Sequence, residues 1–365
     1  MIRNGKSGLI VTCLIALWIL TGCAPSLSPE KQVDQVQACL AGLYGPPGSV
    51  TGVFVEPDDG REPILDELDH AQCSIDIAVY LLTDEKIIAG IEAAHARGVR
   101  VRLILEEDPF GGGGGQDELV GRLQPQGIEI KWSDSEFRFT HAKYIVVDRQ
   151  IALILNLNLT VSAFEGNREF GAVTTHSADV QQAQDIFDRD WSGNRSATEN
   201  GPLIVSPANS RVQYLSLIAG AKVSITFYAE VIRDDEILTA LGLAVKRGVR
   251  VRTIVNLPET AEDSQILARL RIEGVEVRAS TSVYIHAKLM VIDGQRAIVG
   301  SQNFTATSLD SNREIAMLFD DPDAVARCMD IFESDWTRAR IEFTTVRGIL
   351  LDGYEKRPGP EAIPV

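Results

Sequence analysis

The chain has 365 residues and a formal net charge of −16 at pH 7. This length accommodates two domains of ordinary size. The acidic balance weighs against proteins that hold nucleic acids through a basic surface. The five cysteines show no spacing typical of a structural zinc site.

Residues 1–22 have the layout of a secretory signal, in which two basic residues precede an apolar stretch over 9–20. The Leu-Thr-Gly-Cys ending resembles the bacterial lipoprotein box, which implies lipidation of Cys23 and a lipid anchor in the bacterial cell envelope. Ala24, the next residue, favours the outer membrane. The alternatives are an ordinary cleaved signal and a spanning anchor, but the stretch is shorter than the ~20 apolar residues that a spanning helix needs.

Residues 23–48 read as a tether, with one helix expected over 29–43. Without the signal, the chain would carry a net charge of about −18 and keep Cys39, Cys73 and Cys328. Three cysteines allow at most one intramolecular disulfide, which an exported protein can form. The sequence leaves the pairing open.

Beyond the tether, the predicted elements alternate between strands and helices. In the first half we predict strands over 74–80, 99–105, 128–132, 144–147 and 151–155, and helices over 83–96, 116–124 and 180–191. The second half repeats this order, with strands over 223–228, 249–255, 275–278, 289–292 and 297–300, and helices over 234–246, 261–272 and 324–336. The order predicts an α/β fold of two similar domains, each a mixed β-sheet flanked by helices. The predicted boundaries are a first domain over 49–191, a linker over 192–202, a second domain over 203–345 and a C-terminal tail over 346–365.

An internal repeat of about 145 residues connects the two halves. Its centre is a His-Ala-Lys triplet followed by aspartate, at His141, Lys143 and Asp148 and again at His286, Lys288 and Asp293. Further pairs at the same separation are Asn158 with Asn303, Asn167-Arg168-Glu169 with Asn312-Arg313-Glu314, and Asp190-Trp191 with Asp335-Trp336. Tyr80 and Tyr228 end similar apolar runs and are expected to be equivalent. The repeat predicts one pseudo-two-fold active site, built from both halves of a single chain that needs no dimer.

The residue types of the repeat suit an anion rather than a metal. Histidine and lysine at positions i and i+2 of a strand point to the same face, and the nearby ammonium disfavours a metal cation. Two lysines and two asparagines from two halves would hold a tetrahedral phosphate. One histidine would attack phosphorus, and the other would give its proton to the leaving oxygen. Glu169 and Glu314 follow their histidines at the same spacing in each copy, and such a carboxylate would fix an imidazole tautomer.

These residues resemble the phospholipase D superfamily, whose signature is His-x-Lys-x4-Asp followed by Gly-Ser-x-Asn. The second copy matches throughout, with Gly300, Ser301 and Asn303 after the triplet. The first copy has Leu155 and Asn156 in place of glycine and serine. The resemblance implies a covalent phosphohistidine intermediate without metal or cofactor. It also implies that the first-copy histidine is the nucleophile.

The site residues expected on these grounds form two sets. The catalytic set is His141, His286, Lys143, Lys288, Asp148, Asp293, Glu169 and Glu314. The phosphate-binding set is Lys143, Lys288, Asn158, Asn303 and Ser301. Within the first set, Asp148 and Asp293 begin turns between strands, so a structural role is expected of them before a chemical one.

The segments around the first motif allow two interpretations each. Gly111 to Gly115 predict a flexible loop at the rim of the site, or a loop that approaches phosphate. Trp132, Phe137 and Phe139 would line an apolar pocket for a lipid, or pack in the core.

The expected substrate is a phospholipid, whose phosphodiester bond would be cleaved. A nuclease of the same superfamily is less favoured, because the chain is acidic. A cardiolipin synthase-like phosphatidyltransferase is a further alternative. The alternative outside enzymes is an envelope lipoprotein that binds phosphate without turning it over.

Overall fold

The structure is a computed structural model that describes Cys39 and residues 51–110, 116–194 and 201–341. The expected signal, the lipidation site at Cys23, the other tether residues, the Gly111 to Gly115 loop and the C-terminal tail lie outside the described residues. Among the residues that are described, none of the helices has the length and apolar character needed to cross a membrane.

Among the described residues, the first half contains seven strands and five α-helices. The strands are β1 (Thr51–Glu56), β2 (Ser74–Val79), β3 (Arg100–Leu105), β4 (Glu129–Trp132), β5 (Tyr144–Val147), β6 (Ile151–Leu155) and β7 (Asn167–Thr174). The helices are α1 (Glu62–His70), α2 (Glu85–Ala96), α3 (Gln116–Leu123), α4 (Val161–Glu165) and α5 (Ser177–Ser192). Asp84 caps α2 by accepting hydrogen bonds from two backbone N–H groups of its first turn, which fixes where that helix begins.

The second half repeats this series with one additional short strand. Its strands are β8 (Ile204–Ser206), β9 (Ser224–Ala229), β10 (Arg250–Val255), β11 (Glu276–Ala279), β12 (Tyr284–Ile285), β13 (Leu289–Ile292), β14 (Arg296–Gly300) and β15 (Glu314–Phe319). Its helices are α6 (Ser210–Gly220), α7 (Asp235–Lys246), α8 (Ala261–Ile272), α9 (Ala306–Asp310) and α10 (Pro322–Arg338). Asp234 caps α7 as Asp84 caps α2.

Each half forms one mixed sheet. The first sheet has the strand order β1-β7-β6-β5-β2-β3-β4, and the second has the order β8-β15-β14-β13-β9-β10-β11. Within the first half, β2, β3 and β4 are parallel to one another, whereas β5 is antiparallel to β2, β6 to β5 and β7 to β6. β12 of the second half adds to the first sheet by pairing in parallel with β7. The two halves are therefore joined by backbone hydrogen bonds next to the motif.

The largest core cluster belongs to both halves. It combines residues of β5, β6 and β7 with residues of β13, β14 and β15, and it includes Phe187 of α5 and Phe332 of α10. Two further clusters cover the opposite faces of the sheets with α1 and α2 in the first half and α6 and α7 in the second. This arrangement confirms the predicted fold of two mixed sheets flanked by helices.

The sequence missed several elements near the site. β1, β7, β8, β12 and β15 were not predicted, and neither were α1, α4, α6 and α9. β7 begins with the polar triplet Asn167-Arg168-Glu169, which is buried although no alternation of apolar residues marks it as a strand. The three polar side chains are satisfied by partners in the fold, and the pattern alone could not show those partners.

The strand registers correct one predicted equivalence. Val79 at the end of β2 and Ala229 at the end of β9 each pair with the last residue of the next parallel strand, so these two residues are counterparts. Tyr80 is therefore equivalent to Glu230, and pairing it with Tyr228 was wrong. The error has a physical origin, because an aromatic residue in an apolar run does not fix the strand register.

Cys39 and Cys73 form a disulfide, while Cys328 is a buried free thiol. Three cysteines permit at most one disulfide among them, and the structure has one disulfide and one free thiol at these positions. The bond connects the tether to the residue immediately before β2.

Candidate active site

The two motif histidines lie just before β5 and β13 and are held by the opposite half. The backbone N–H of His141 donates to the carbonyl oxygen of Arg313 at 2.9 Å, and that of His286 donates to the carbonyl oxygen of Arg168 at 3.3 Å. Both side chains are buried, with 6% and 5% of their surface exposed. Each histidine is thus fixed by the strand that carries the other half's glutamate.

Each imidazole is paired with a carboxylate from the opposite half. His141 Nδ1 lies 2.9 Å from Glu314 Oε2, and His286 Nδ1 lies 2.8 Å from Glu169 Oε2. A carboxylate that accepts the Nδ1 proton leaves Nε2 as the reactive nitrogen. The equal spacing from histidine to glutamate within each copy did not reveal that the pairs cross between halves.

The glutamates are oriented by asparagines of the same triplet. Asn167 Nδ2 donates to Glu169 at 3.2 Å, and Asn312 Nδ2 donates to Glu314 at 3.0 Å. Glu314 also accepts a hydrogen bond from Ser308 Oγ at 2.6 Å. With both sides of the carboxylate held, each imidazole has one preferred orientation.

The arginines of the same triplets also cross between halves. Arg168 Nε lies 2.7 Å from Asp335 Oδ2, and Arg313 Nη2 lies 2.7 Å from Asp190 Oδ1. Tyr228 Oη donates to Asp335 at 2.8 Å. These buried ion pairs connect each triplet to the last helix of the other half, and they place both glutamates at the interface.

The two motif lysines have different neighbours. Lys143 Nζ donates to the carbonyl oxygen of His141 at 2.7 Å and lies 5.0 Å from the ring centre of Tyr80. The Tyr80 ring also packs edge-on against the His141 ring, with centres 4.8 Å apart. Lys288 Nζ instead forms an ion pair with Glu230 Oε2 at 2.7 Å.

Glu230 is a site residue that the sequence did not predict. Besides Lys288, its Oε2 lies 3.5 Å from His286 Nε2 and accepts a hydrogen bond from Asn303 Nδ2 at 3.3 Å. Its Oε1 accepts a hydrogen bond from Tyr284 Oη at 3.4 Å. Aligning the halves by strand register would have found it, since it stands at the position of Tyr80.

The expected phosphate-binding residues are only partly directed to the site. Asn303 contacts Glu230, and Asn158 is its buried counterpart in the first half. Ser301 Oγ accepts a hydrogen bond from the backbone N–H of Ile315 at 3.2 Å. A phosphate contact by Ser301 stays a prediction, because its described partner is the β15 backbone.

Asn156 has the structural contact that Ser301 has in the other half. Its Oδ1 accepts a hydrogen bond from the backbone N–H of Phe170 at 2.7 Å, in the residue that follows Glu169. Although the first copy lacks the Gly-Ser pair, Asn156 therefore keeps the side-chain hydrogen bond to the neighbouring strand.

The two halves also place a glycine on different strands of the equivalent strand pair: Gly300 lies on β14, whereas Gly171 lies on β7. Leu155 pairs with Gly171, whereas Gly300 pairs with Ala316. A Cβ at Gly300 would lie 2.1 Å from the Cβ of Ala316, and a Cβ at Gly171 would lie 2.1 Å from the ring of Phe54. Glycine is therefore required at Gly300 by its partner on β15 and at Gly171 by the Phe54 ring of β1.

The motif aspartates belong to the turns. Asp148 accepts hydrogen bonds from the backbone N–H groups of residues 72–74, and Asp293 accepts them from residues 222–224. Both have positive φ, 53° and 55°. They lie beyond the last residues of β5 and β13, at the end opposite to the histidines. Their contacts are structural, and none of them reaches a site side chain.

Of the aromatic residues before the first motif, Phe137 packs at the interface of the halves and Phe139 lies in the wall of the site. The Phe137 ring lies under the guanidinium of Arg313, 4.2 Å away, and packs at the interface. Phe139 packs edge-on against Tyr80, with centres 6.1 Å apart, and so belongs to the wall beside His141.

The two histidine–glutamate pairs differ in their pKa values. Burial opposes ionisation of Glu314, but the charge and hydrogen bond of His141, together with Lys143, bring its pKa to about 2. Burial raises the pKa of Glu169 well above its usual range; Lys288 opposes this change and Glu230 adds to it. The carboxyls of the two crossed pairs are therefore shifted in opposite directions, and Glu169 is the more basic of the two.

Burial also lowers the pKa of both histidines. For His141 the charge of Glu314 opposes this effect. For His286 the lysines Lys288 and Lys143 increase it, and its pKa lies well below the usual value. Both rings are thus neutral at pH 7 when the site contains no substrate. Within the described ranges, no three His, Cys, Asp or Glu side chains are grouped so that they could hold a metal ion.

Comparison with known proteins gives concordant results. The model of the family described as "Cardiolipin synthase, PLD-like domain" matches residues 64–191 and 214–336. The cardiolipin synthase of Geobacillus thermodenitrificans (strain NG80-2) is 24% identical over 341 residues, covering 80% of this chain and 67% of that protein. The mitochondrial cardiolipin hydrolase of Xenopus laevis is 28% identical over 162 residues, covering 44% and 75% respectively.

Among solved structures, the phosphatidylserine synthase of Haemophilus influenzae Rd KW20 aligns with a TM-score of 0.62 at 11% identity. The alignment covers 86% of this chain and 92% of that one, and it supports the fold alone. Two copies of the family domain, each containing one motif, cover most of the described residues. The chain belongs to the phospholipase D superfamily, whose members act on phosphodiester bonds.

Proposed function

We propose that this chain is a phospholipase D-type phosphodiesterase, which cleaves phospholipid through a phosphohistidine intermediate. The observation that supports it most is the crossed pairing of His141 with Glu314 and of His286 with Glu169. Each pair orients one imidazole through Nδ1 and leaves Nε2 for chemistry.

In the first step, His141 Nε2 attacks phosphorus while the bond to the leaving oxygen breaks. His286 Nε2 gives a proton to that oxygen, so the alcohol leaves neutral. Lys143 and Lys288 stabilise the negative charge that develops on the phosphoryl oxygens. Ionised Glu314 stabilises the positive charge on His141 in the covalent intermediate.

In the second step, His286 takes a proton from water or from an alcohol. The resulting oxygen attacks phosphorus, the P–N bond breaks, and His141 returns to its neutral form. One residue serves as acid and then as base, so the cycle restores the starting protonation state.

Three observations support phospholipid as the substrate class. The chain carries a net charge of −16, which disfavours a nucleic acid polyanion. The names of two relatives refer to cardiolipin. The disulfide between Cys39 and Cys73 agrees with an exported enzyme, for which we propose a lipid anchor at Cys23 in the bacterial cell envelope.

Transfer to an alcohol is the second candidate reaction. A cardiolipin synthase is similar over 80% of this chain, whereas the cardiolipin hydrolase is similar over 44%. Transfer and hydrolysis share the first step and differ only in the acceptor of the second, so both fit the same pair of histidines.

The test offers phospholipid vesicles and single-stranded DNA side by side to the purified mature protein. We expect headgroup release from the vesicles and no cleavage of DNA. Turnover of DNA without headgroup release would refute the proposed substrate class. Adding glycerol or phosphatidylglycerol, with mass spectrometry of the lipid products, separates transfer from hydrolysis.

A further inference from the structure

The two halves of the site place different side chains at one equivalent position. Tyr80 follows the last residue of β2, and Glu230 follows the last residue of the equivalent strand β9. Tyr80 presents a ring to His141 and Lys143, whereas Glu230 presents a carboxylate to His286 and Lys288. The halves therefore differ at a position that contacts both the motif histidine and the motif lysine.

Glu230 occupies the position expected for a phosphoryl oxygen in the second half. Its Oε2 lies 2.7 Å from Lys288 Nζ, 3.3 Å from Asn303 Nδ2 and 3.5 Å from His286 Nε2. These are the groups of the second half that would hold and protonate a phosphodiester. Glu230 is buried, with 2% of its side chain exposed, so solvent does not screen its charge from the site.

We propose that Glu230 is a positioning residue that keeps His286 as the proton carrier and competes with phosphate for the second half of the cradle. This proposal rests on the proposed phosphodiesterase function. His286 then has a carboxylate at each ring nitrogen, Glu169 at Nδ1 and Glu230 at Nε2. Two flanking carboxylates favour the form that carries the additional proton.

The charged and titratable groups around His286 come from several elements. They are Glu169 on β7, Glu230 after β9, Tyr284 on β12, Lys288 before β13, and Lys143 and His141 before β5. The two lysines and burial act to expel a proton from this cluster, while the two carboxylates act to retain it. Glu230 adds to the raised pKa of Glu169, in agreement with one proton shared within the cluster.

The cycle follows from this arrangement. When a phosphodiester enters, one of its oxygens replaces the Glu230 carboxylate as the partner of Lys288 and Asn303. The cluster proton passes through His286 Nε2 to the leaving oxygen as the bond from phosphorus to that oxygen breaks. It returns from the acceptor hydroxyl when the P–N bond of the intermediate is broken. Removing the Glu230 charge therefore tightens phosphate binding and lowers the pKa of the cluster, so that a smaller fraction carries the proton at a given pH.

The experiment compares Glu230→Gln with Tyr80→Phe, the matched variant of the first half. Kinetics with a soluble aryl phosphodiester are measured across pH, together with binding of inorganic phosphate. For Glu230→Gln we expect phosphate affinity to rise by about tenfold and the basic limb of kcat/KM to move down by about one pH unit or more. For Tyr80→Phe we expect that limb to stay in place.

A second measurement does not depend on turnover. The chain has only five histidines, so ¹⁵N-labelled imidazoles can be assigned one by one in NMR titrations. Glu230→Gln should lower the titration midpoint of His286 and leave that of His141 nearly unchanged. An unmoved His286 midpoint together with unchanged phosphate affinity, in a variant with wild-type Tm, would overturn the role of Glu230. Failure of the wild type to cleave any phosphodiester would instead refute the proposed function.

Discussion

The two half-sites contain equivalent histidines, lysines, asparagines and glutamates, yet they differ at the residue that follows β2 in the first half and β9 in the second. In the first half the residue is Tyr80, and in the second it is Glu230. The first half therefore contains a cationic lysine against a ring, whereas the second contains an ion pair. Under the proposed role of Glu230, a duplicated fold assigns two roles to two copies of one residue through a single neighbouring side chain.

The same comparison shows where the halves depend on each other. The backbone N–H, the Nδ1 partner and the triplet arginine of each motif all have their partners in the other half. Neither half contains a complete site. Both halves, which the pseudo-two-fold axis of the repeat relates, are thus needed to assemble one site.

Removing either histidine should produce the largest effect. Because one forms the covalent bond and the other moves the proton, we expect His141→Ala and His286→Ala each to reduce kcat by roughly 10³-fold or more. The measurement is cleavage of an aryl phosphodiester, with Tm as the control for folding. Residual activity near that of the wild type in either variant would refute a site shared by both halves.

Trapping the intermediate sharpens the comparison. Acid-free mass spectrometry after a short reaction should find the phosphoryl group on His141 and not on His286. The His286→Ala variant should accumulate the adduct if its leaving group is activated enough to depart without an acid. An adduct on His286 in the wild type would reverse the assignment of the two histidines.

Breaking a crossed ion pair should be the next largest effect. Arg168→Met removes the buried arginine partner of Asp335, whose remaining ion pair is with the exposed Arg338 at 3.6 Å, and we expect this to reduce the free energy of unfolding by about 3–5 kcal/mol. Urea unfolding measures this loss. The exposed pair Arg250–Glu276 supplies the control, since Arg250→Met should change stability by less than about 1 kcal/mol.

The sequence predicted the fold and the core of the site because the repeat marks both. The strands with apolar or β-branched runs were found, and the bounds of β5, β6 and β13 agree with the structure. The strand β7 was missed because it begins with a buried polar triplet, and β15 was missed because the equivalent triplet ends at its first residue, Glu314. The arginine and glutamate side chains of these triplets have partners in the opposite half, and the local spacing of residues does not reveal such long-range partners.

The crossed pairing and Glu230 could not be predicted for related reasons. The spacing between histidine and glutamate is the same within each copy, so the sequence does not separate pairing within a half from pairing between halves. Glu230 was hidden because the aromatic Tyr228 offered a false register with Tyr80. Strand pairing places the true counterpart two positions further along the chain, and the identical segments 97–102 and 247–252 have the same offset of 150 residues.

The first β-strands of the two halves differ at one buried position, which is a carboxyl in β1 and a hydroxyl in β8. Glu56 of β1 lies opposite Glu169, and Ser206 of β8 lies opposite Glu314. Burial raises the pKa of Glu56 to about 8, from a usual 4.5, although the Gly60 backbone N–H donates to it. The folded protein keeps this proton between those pH values and the unfolded chain does not, so stability should fall as pH rises from about 5 to 8.

The Glu56→Gln variant tests this directly. It cannot ionise, so its Tm should exceed that of the wild type at pH 8.5 and approach it near pH 5. The difference amounts to about 1.4 kcal/mol for each pH unit that separates the folded and unfolded pKa values. Glu118→Gln, on the exposed side of α3, serves as the control. A Tm difference that does not depend on pH would mean that Glu56 is not the titrating group.

Substitution of the turn aspartates should have the smallest effect on stability, and it compares the two halves at positions distant from the motif histidines. Asp148 is buried, whereas Asp293 is more exposed, although each accepts backbone hydrogen bonds from three consecutive residues. Alanine at either position loses these bonds and is strained at positive φ, so we expect a loss of about 1–3 kcal/mol, larger for Asp148. Asparagine tolerates positive φ and keeps one acceptor, so Asp148→Asn and Asp293→Asn should recover part of the loss. Because the carboxylates lie at the far ends of β5 and β13, kcat of the folded fraction should stay near the wild-type value. A fall in kcat at unchanged Tm would instead make these residues part of the chemistry.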